Sequence, residues 1–278
     1  MAASFLSIVS YLFGWIYTLC WSLSFYPQPI LNFRRRSTTG TTVDFPTINV
    51  LGFIAYLVSN AAFLYSPRIR QEYALRNHGL TPTVQFNDLT FAAHAVVLST
   101  ITLSQFVPGL WGFDKRAKRR PGSRPSKPIL GICFGSLTGV AIVACLVGSR
   151  HEEDVIKGWA WIDVIYAVSY VKLVITLVKY MPQVLTNRNN KSTKGWSIAQ
   201  ILLDFAGGIL SILQLGIDSY LQGDWSGITG NPVKLALGNI SVFFDIIFII
   251  QHYFLYRKPG KSLEDGEADP LLDGRSED

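Results

Sequence analysis

Apolar residues in this chain run in long blocks instead of recurring every third or fourth position, the rhythm of a soluble amphipathic helix. Seven blocks stand out: Ile8–Phe25, Thr47–Tyr65, Asp88–Val107, Ile129–Gly148, Trp159–Met181, Ile198–Tyr220 and Lys234–Tyr256. Each is roughly 20 residues long, enough for an α-helix to cross a hydrocarbon core of about 30 Å. The fourth, ILGICFGSLTGVAIVACLVG, contains no charged residue. In lipid the backbone has no water to bond, so each block must satisfy its amides and carbonyls internally, as a helix does. The pattern predicts an all-α integral membrane protein with seven transmembrane helices.

Averaged over the chain the mean hydropathy is only +0.27, so the distribution and not the average decides the class. Basic residues sort by loop. Sixteen follow the first, third, fifth and seventh blocks: Arg34, Arg35 and Arg36; Lys115, Arg116, Lys118, Arg119, Arg120, Arg124 and Lys127; Arg188, Lys191 and Lys194; Arg257, Lys258 and Lys261. The other connections hold five: Arg68, Arg70, Arg76, Arg150 and Lys157. The basic side is cytosolic, which puts the N-terminus in a lumen or outside and the C-terminus in the cytosol. The net charge of +6 is then a topology signal, not a nucleic-acid surface. No basic residue precedes Arg34, so the first block reads as a retained helix and not as a cleaved signal. Cys20, Cys133 and Cys145 all fall inside blocks and imply no disulfide framework.

Two connecting stretches repeat. FYPQPILNFRRRSTTG from Phe25 and YMPQVLTNRNNKSTKG from Tyr180 superpose at a shift of 155 residues without a gap. The shift matches Pro27 with Pro182, Gln28 with Gln183, Asn32 with Asn187, Ser37 with Ser192, Gly40 with Gly195 and Gly52 with Gly207. A match of that length is a duplication. Residues 1–107 and 159–258 are expected to be three-helix repeats, each with a Pro-Gln motif. Residues 108–158 supply a basic loop and the fourth helix, and 259–278 a disordered tail. The fourth helix restores the direction that an odd-membered unit would reverse. The result is a 3+1+3 arrangement of parallel repeats, a transporter architecture. Gly131, Gly135 and Gly139 have the small-xxx-small spacing that permits close helix approach.

Proline removes a helical hydrogen bond and clashes with the preceding turn. Pro27 and Pro182 lie near the ends of equivalent helices, with Gln28 and Gln183 placed to satisfy the freed backbone groups. One such dipeptide marks a helix end. Two, with the same residues downstream, read as a pair of hinges.

Ionisable side chains inside the blocks cost at least ~2.5–3.5 kcal/mol each at mid-bilayer. Asp204 lies about two turns into the sixth block and Asp245 near the middle of the seventh; Lys172 is central in the fifth and Lys234 opens the seventh. Lys179 is placed to reach the interface. Asp204 takes the place of Asn49 in the first repeat, so both repeats carry a polar group at one depth, expected to face a cavity. A buried Asp–Lys pair that only fixes packing is the plainer account. The presence of both signs also suits a zwitterionic amino acid. Asp204 and Asp245 are candidate proton carriers, since low dielectric disfavours the charged form of an acid. Asp88 and Asp163 open helices, where the dipole favours an acid. His94 and His252 read as hydrogen-bonded packing. Trp159, Trp161, Tyr253 and Tyr256 read as an interfacial belt, while Trp21, Phe25 and Tyr180 are placed to line the cavity. No nucleophile–base set, metal-ligand spacing or phosphate loop occurs in the sequence, so no enzyme is indicated and no cofactor is called for.

The basic loop Asp114–Lys127 suits contact with anionic membrane lipid, or serves as a linker. In the acidic tail, Glu267-Ala-Asp-Pro-Leu271-Leu272 fits a dileucine sorting signal of the kind read by adaptor complexes.

The segments SFYPQPILNFRRRST, YVKLVITLVKYMPQVLTNRNNKSTKGWSI, LLDFAGG and FFDIIFIIQHYFLYRK resemble the PQ-loop family, and within it the cystine/proton carriers of lysosomal and vacuolar membranes. The resemblance spans residues 10–258. It implies a proton symporter that exports L-cystine from an acidic lumen to the cytosol. It also implies substrate contacts at Asn49, Lys172, Tyr180, Gln183, Asp204 and Lys234, with Trp21 and Gln28 nearby. Proton coupling is implied at Asp204 and Asp245, with Asp88 a further contributor. Animal members carry a large glycosylated lumenal domain and a glycine-tyrosine sorting tail; a plant-type member without that domain is expected here. Gln200 stands where the family pattern has an asparagine, so no contact is implied there. Two alternatives stay open: a PQ-loop carrier of another amino acid or a sugar, and a seven-helix cargo or ligand receptor. A sugar has no need of Lys172 together with Asp204, and a receptor binds its ligand without moving it.

Overall fold

The computed structural model describes residues 2–77, 79, 82, 84, 86–107, 109–113, 124–149, 155–156, 158–222 and 232–256, and no strand occurs among them. In chain order the helices are α1 (Ala2–Ser24), α2 (Pro27–Arg35), α3 (Asp44–Tyr65), α4 (Pro67–Arg76), α5 (Phe86–Ser104), α6 (Lys127–Gly148), α7 (Trp161–Val178), α8 (Met181–Asn190), α9 (Ile198–Gln222) and α10 (Pro232–Ile250). A π-helical turn, Gln251–Leu255, follows α10. Four helical stretches are long and apolar enough to cross a membrane: Phe5–Arg35, Asp44–Tyr65, Lys127–Gly148 and Trp161–Asn190. Shorter apolar helices, Asp88–Ser104, Ile198–Gln214 and Asn239–Leu255, occupy the third, sixth and seventh apolar blocks. The chain is an all-α, multi-pass membrane protein.

The helices that carry the Pro-Gln motifs are interrupted. α1 ends at Ser24 and α2 begins at Pro27; α7 ends at Val178 and α8 begins at Met181, with Pro182 in its first turn. Proline sits comfortably in a first turn, where its missing N–H would have no helical partner. Both short helices close on a left-handed residue, Arg36 at φ 49° and Lys191 at φ 46°. The N–H of each bonds back to the last carbonyls of its helix.

By contact the chain forms two compact units, divided at 43/44, 100/101, 123/124 and 179/180. One contains α1, α2, α8, α9 and α10; the other contains α3, α4, α6, α7 and most of α5. In the first unit α1 packs on α9, and in the second α7 packs on α3. These pairs are equivalent under the 155-residue shift. The first helix of each repeat therefore lies on the second helix of the other. Glycine lets them approach: a Cβ at Gly207 would stand 2.5 Å from Trp21 Cδ1, and one at Gly52 would stand 2.8 Å from Ile175 Cγ2. Ile48, Ala55, Ile129, Val171 and Ile175 form one core cluster of the second unit.

The connection after α3 holds a helix, α4, that the apolar pattern does not reveal. Ser66 caps it and Pro67 opens it. Its polar face clasps the start of α7. Arg76 donates to both Asp163 oxygens, at 2.5 and 2.9 Å, and to the carbonyls of Val155 and Gly158. The hydrogen bond to Asp163 holds the Arg76 guanidinium above its usual pKa. Buried Glu72 accepts from the Ile162 N–H at 2.7 Å, and Asp163 accepts from the Ala160 N–H. Asp163 thus does the structural work expected of an acid at a helix N-terminus.

One packing expectation is corrected. Gly131, Gly135 and Gly139 of α6 face open space, with nothing among the described residues within 4 Å of a Cβ built on them. Their spacing permits a close helix approach that no described helix makes.

Glycine substitutions should therefore split by sign. Gly52→Ala is expected to lower thermal stability in detergent by about 1–3 kcal/mol through overpacking on Ile175. Gly135→Ala is expected to be neutral, or to stabilise by up to about 1 kcal/mol through helix propensity. Thermal unfolding midpoints of the two variants check this.

Candidate functional site

Within the first unit the two Pro-Gln loops are tied to each other by their glutamines. Gln28 Nε2 donates to the Gly195 carbonyl at 3.0 Å and its Oε1 accepts from the Ser197 N–H at 2.8 Å. Gln183 Nε2 donates to the Gly40 carbonyl at 3.1 Å and its Oε1 accepts from the Thr42 N–H at 3.2 Å. Gly40 and Gly195 are equivalent, as are Thr42 and Ser197, so each glutamine grips the other repeat's loop at matching atoms. Both glycines have positive φ, 94° and 98°, and a Cβ on either would fall about 2 Å from the facing loop's carbonyl.

The clamp continues inward. Gln28 and Gln183 also donate to Asn32 and Asn187, one turn on in their own helices. Asn32 Nδ2 donates to Gln105 Oε1 at 2.8 Å, and Gln105 Nε2 donates to the Pro29 carbonyl. In the second repeat Asn187 donates to Gln251 at 3.0 Å, and Gln251 to the Val184 carbonyl. Gln28, Gln183, Asn32, Asn187, Gln105 and Gln251 are all buried. Their role differs from the one expected of Gln28 and Gln183. Their amides bond the opposite loop rather than carbonyls freed in their own helix, because proline sits in a first turn where few groups are freed. Gln105 and Gln251 were not anticipated. They stand 146 residues apart, off the 155-residue register, but each lies at the end of its repeat's third helix.

The second feature of this unit is a half-buried carboxylate. Tyr180, in the break before α8, is almost wholly enclosed, its ring against Phe244 at 5.4 Å and Phe248 at 5.8 Å. Its hydroxyl donates to Asp204 Oδ2 at 2.5 Å. Ser241 Oγ donates to the same oxygen at 3.0 Å and lies 3.4 Å from the Tyr180 hydroxyl. Asp245 follows Ser241 by one turn on α10 and is fully buried. Trp21 lies over Gly207, one turn beyond Asp204 on α9. The unit thus brings together Trp21, Tyr180 and Asp204, and holds Asp245 on the same helix as Ser241.

The second unit holds Asn49, Lys172 and Asp88. Asn49 is buried on α3, and its Nδ2 donates to Ser99 Oγ at 3.0 Å. The Lys172 ammonium sits 3.6 Å from the Phe53 ring centroid and 6.0 Å from that of Tyr56, a cation–π seat. Asp88 lies in the first turn of α5. His252 shares a 2.8 Å hydrogen bond with Thr193, the packing role expected of it. Lys234 lies on α10, but its side chain is outside the described residues, as are Glu267, Leu271 and Leu272 of the tail signal and most of the basic loop.

Paired breaks in apolar helices, each followed by a short helix and a loop held in a reciprocal glutamine clamp, define a membrane protein of the PQ-loop repeat class. The PQ loop repeat family model matches residues 9–69 and 164–224, segments that begin and end 155 residues apart. The chain is 44% identical over 257 residues to the cystinosin homolog of Dictyostelium discoideum, covering 92% of this chain and 84% of that one. It is 39% identical over 260 residues to the cystinosin of Bos taurus, covering 93% of this chain and 66% of that one. The cystine transporter of Saccharomyces cerevisiae is 28% identical over 269 residues, covering 90% and 95%. The chain belongs to the cystinosin family.

The clamp makes a direct prediction. Gln28→Glu keeps shape and the bond from Ser197, but sets a carboxylate against the Gly195 carbonyl and Asn32 Oδ1. It is expected to cost on the order of 2–4 kcal/mol at neutral pH, read as a lowered unfolding midpoint, and Gln183→Glu should behave alike.

Proposed function

We propose that the chain is a secondary active transporter, a proton symporter that moves L-cystine from an acidic lysosomal or vacuolar lumen to the cytosol by alternating access. The observation that carries the reading is Asp204, a carboxylate on an apolar helix gripped at one oxygen by two hydroxyls. The name of the yeast relative supports the substrate. Each end of cystine is a zwitterion, so its ammonium calls for a carboxylate and its carboxylate for a cation. Asp204 answers the first need, and Lys172 and Lys234 the second. Asn49 and Tyr180 complete the contacts, with Trp21 beside them. Gln28 and Gln183 are assigned to the hinges, because their amides are already occupied.

Membrane topology follows the loop charges: seven spans in a 3+1+3 arrangement, with a lumenal N-terminus and a cytosolic C-terminus. Protonation of Asp204 or Asp245 removes a negative charge from the core and lets the loaded core close. Asp88 contributes a further exchangeable proton. The chain then pivots at the breaks before Pro27 and Pro182, opens to the cytosol and loses its proton at the higher pH. Coupled acids titrate as a set, so the proton belongs to the cluster and not to one residue. Tyr180 links the two events, since it sits in the second break and holds Asp204.

Labelled cystine uptake into proteoliposomes tests the reading. A pH gradient, acidic on the cystine side, should drive uptake in the wild type, and Asp204→Asn should abolish it. Absence of cystine uptake by inserted wild-type protein sinks the assignment. Asp245→Asn should leave uptake that no longer rises with the gradient; an unchanged response removes Asp245 from the coupling.

A further inference from the structure

Each repeat holds the polar residue of its second helix with a serine from its third. On α3, Asn49 Nδ2 donates to Ser99 Oγ of α5 at 3.0 Å, while the buried Asn49 Oδ1 has no hydrogen-bond partner among the described residues. On α9, Asp204 Oδ2 receives the Ser241 hydroxyl of α10 at 3.0 Å along with the Tyr180 hydroxyl. Asp204 Oδ1 makes no hydrogen bond among the described residues. Asn49 and Asp204 are equivalent under the 155-residue shift. The serines are not equivalent to each other. In the third-helix register set by Gln105 and Gln251, Ser99 matches Asp245, and Ser241 matches Ala95. The second repeat thus reaches the same contact from one turn earlier, and the place of the first serine holds an acid. A contact made from two registers was not simply copied with the duplication.

We propose that Ser241, and with it Ser99, is a positioning residue that holds one end of Asp204 or Asn49 so that its other oxygen is presented as an acceptor to the ammonium group of a substrate. The proposal deepens the transport reading above and rests on it for the identity of the substrate. In both repeats the atom left over is an oxygen acceptor, which favours a hydrogen-bond donor, and at Asp204 a cationic one, over a carboxylate or an ether. Two donors on Asp204 Oδ2 also fix the carboxylate rotamer, so Oδ1 is held in place before the ligand arrives. Ser241 is buried and hydrogen-bonded, and it acts through Asp204 without itself being required to touch substrate.

Kinetics and infrared spectroscopy of the full-length protein in proteoliposomes test this. Ser241→Ala should raise KM for cystine about tenfold with kcat within about twofold, because the lost bond served binding geometry. Ser99→Ala should raise it about threefold. Ser241→Cys, a weaker donor of nearly the same size, should fall between serine and alanine. The Asp204 carboxyl band, identified by its loss in Asp204→Asn, should shift in Ser241→Ala whether or not cystine is transported. A KM unchanged in Ser241→Ala, a loss carried by kcat alone, or an unshifted band overturns the proposal. A shifted band without cystine uptake by the wild type supports the hydrogen-bond assignment and overturns cystine as the ligand.

Discussion

A backbone that leaves the helix inside a membrane protein must find hydrogen bonds from protein, because lipid supplies none. The reciprocal glutamine clamp meets that requirement. The loops that follow the two short helices, 37–43 after α2 and 192–197 after α8, are partly buried, and their carbonyls and amides would be costly if left bare. Each loop solves the problem with a side chain of the other: Gln28 covers Gly195 and Ser197, and Gln183 covers Gly40 and Thr42. Neither loop is satisfied alone. Asn32–Gln105 and Asn187–Gln251 then carry each clamp to the end of its repeat's third helix, so two loops and two helix ends form one polar network. The glycines follow from this, since loops bonded so closely leave no space for a Cβ at Gly40 or Gly195.

Duplication explains the clamp but not the chemistry. Where the network holds loops together the repeats match almost atom for atom, down to the left-handed caps Arg36 and Lys191. Away from it three matched positions diverge in one direction. Phe25 stands against Tyr180, Asn49 against Asp204, and Ser99 against Asp245. Each exchange gives the second repeat the more acidic or more hydrogen-bonding member. Scaffold is conserved between the copies while these side chains differ, as expected if a symmetric frame must carry an asymmetric load.

Much of the frame was legible in the sequence because it rests on two strong signals, apolar block length and a gapless repeat. The breaks at Pro27 and Pro182, the equivalence of Gly52 and Gly207, and the pairing of Asn49 with Asp204 followed from them. Side-chain partners did not. The repeat register aligned Gln28 with Gln183, but no register reveals that each reaches across to the other's loop. Gln105 and Gln251 escaped because the connection between second and third helices differs in length, which moves the match from 155 to 146. α4 escaped because its clasp on α7 runs through Glu72 and Arg76, charges that in sequence look like a solvated loop. The glycine stripe of α6 erred the other way: spacing permits an approach but does not supply the helix that makes it.

The position of Tyr180 joins scaffold to chemistry. It is the residue before the Met181-Pro182 turn, in the break between α7 and α8, and its hydroxyl belongs to the Asp204 cluster. Its ring is fixed by Phe244 and Phe248, the latter stacked in turn on Trp196, the residue next to Gly195 in the clamped loop. A change in the charge or ligation of Asp204 alters the bond made by Tyr180, whose ring is packed between the break and the aromatic stack. In the first repeat Phe25 has no hydroxyl with which to make such a link. Under the proposed function, the second break is therefore the one that senses the load, while the first follows it through the clamp.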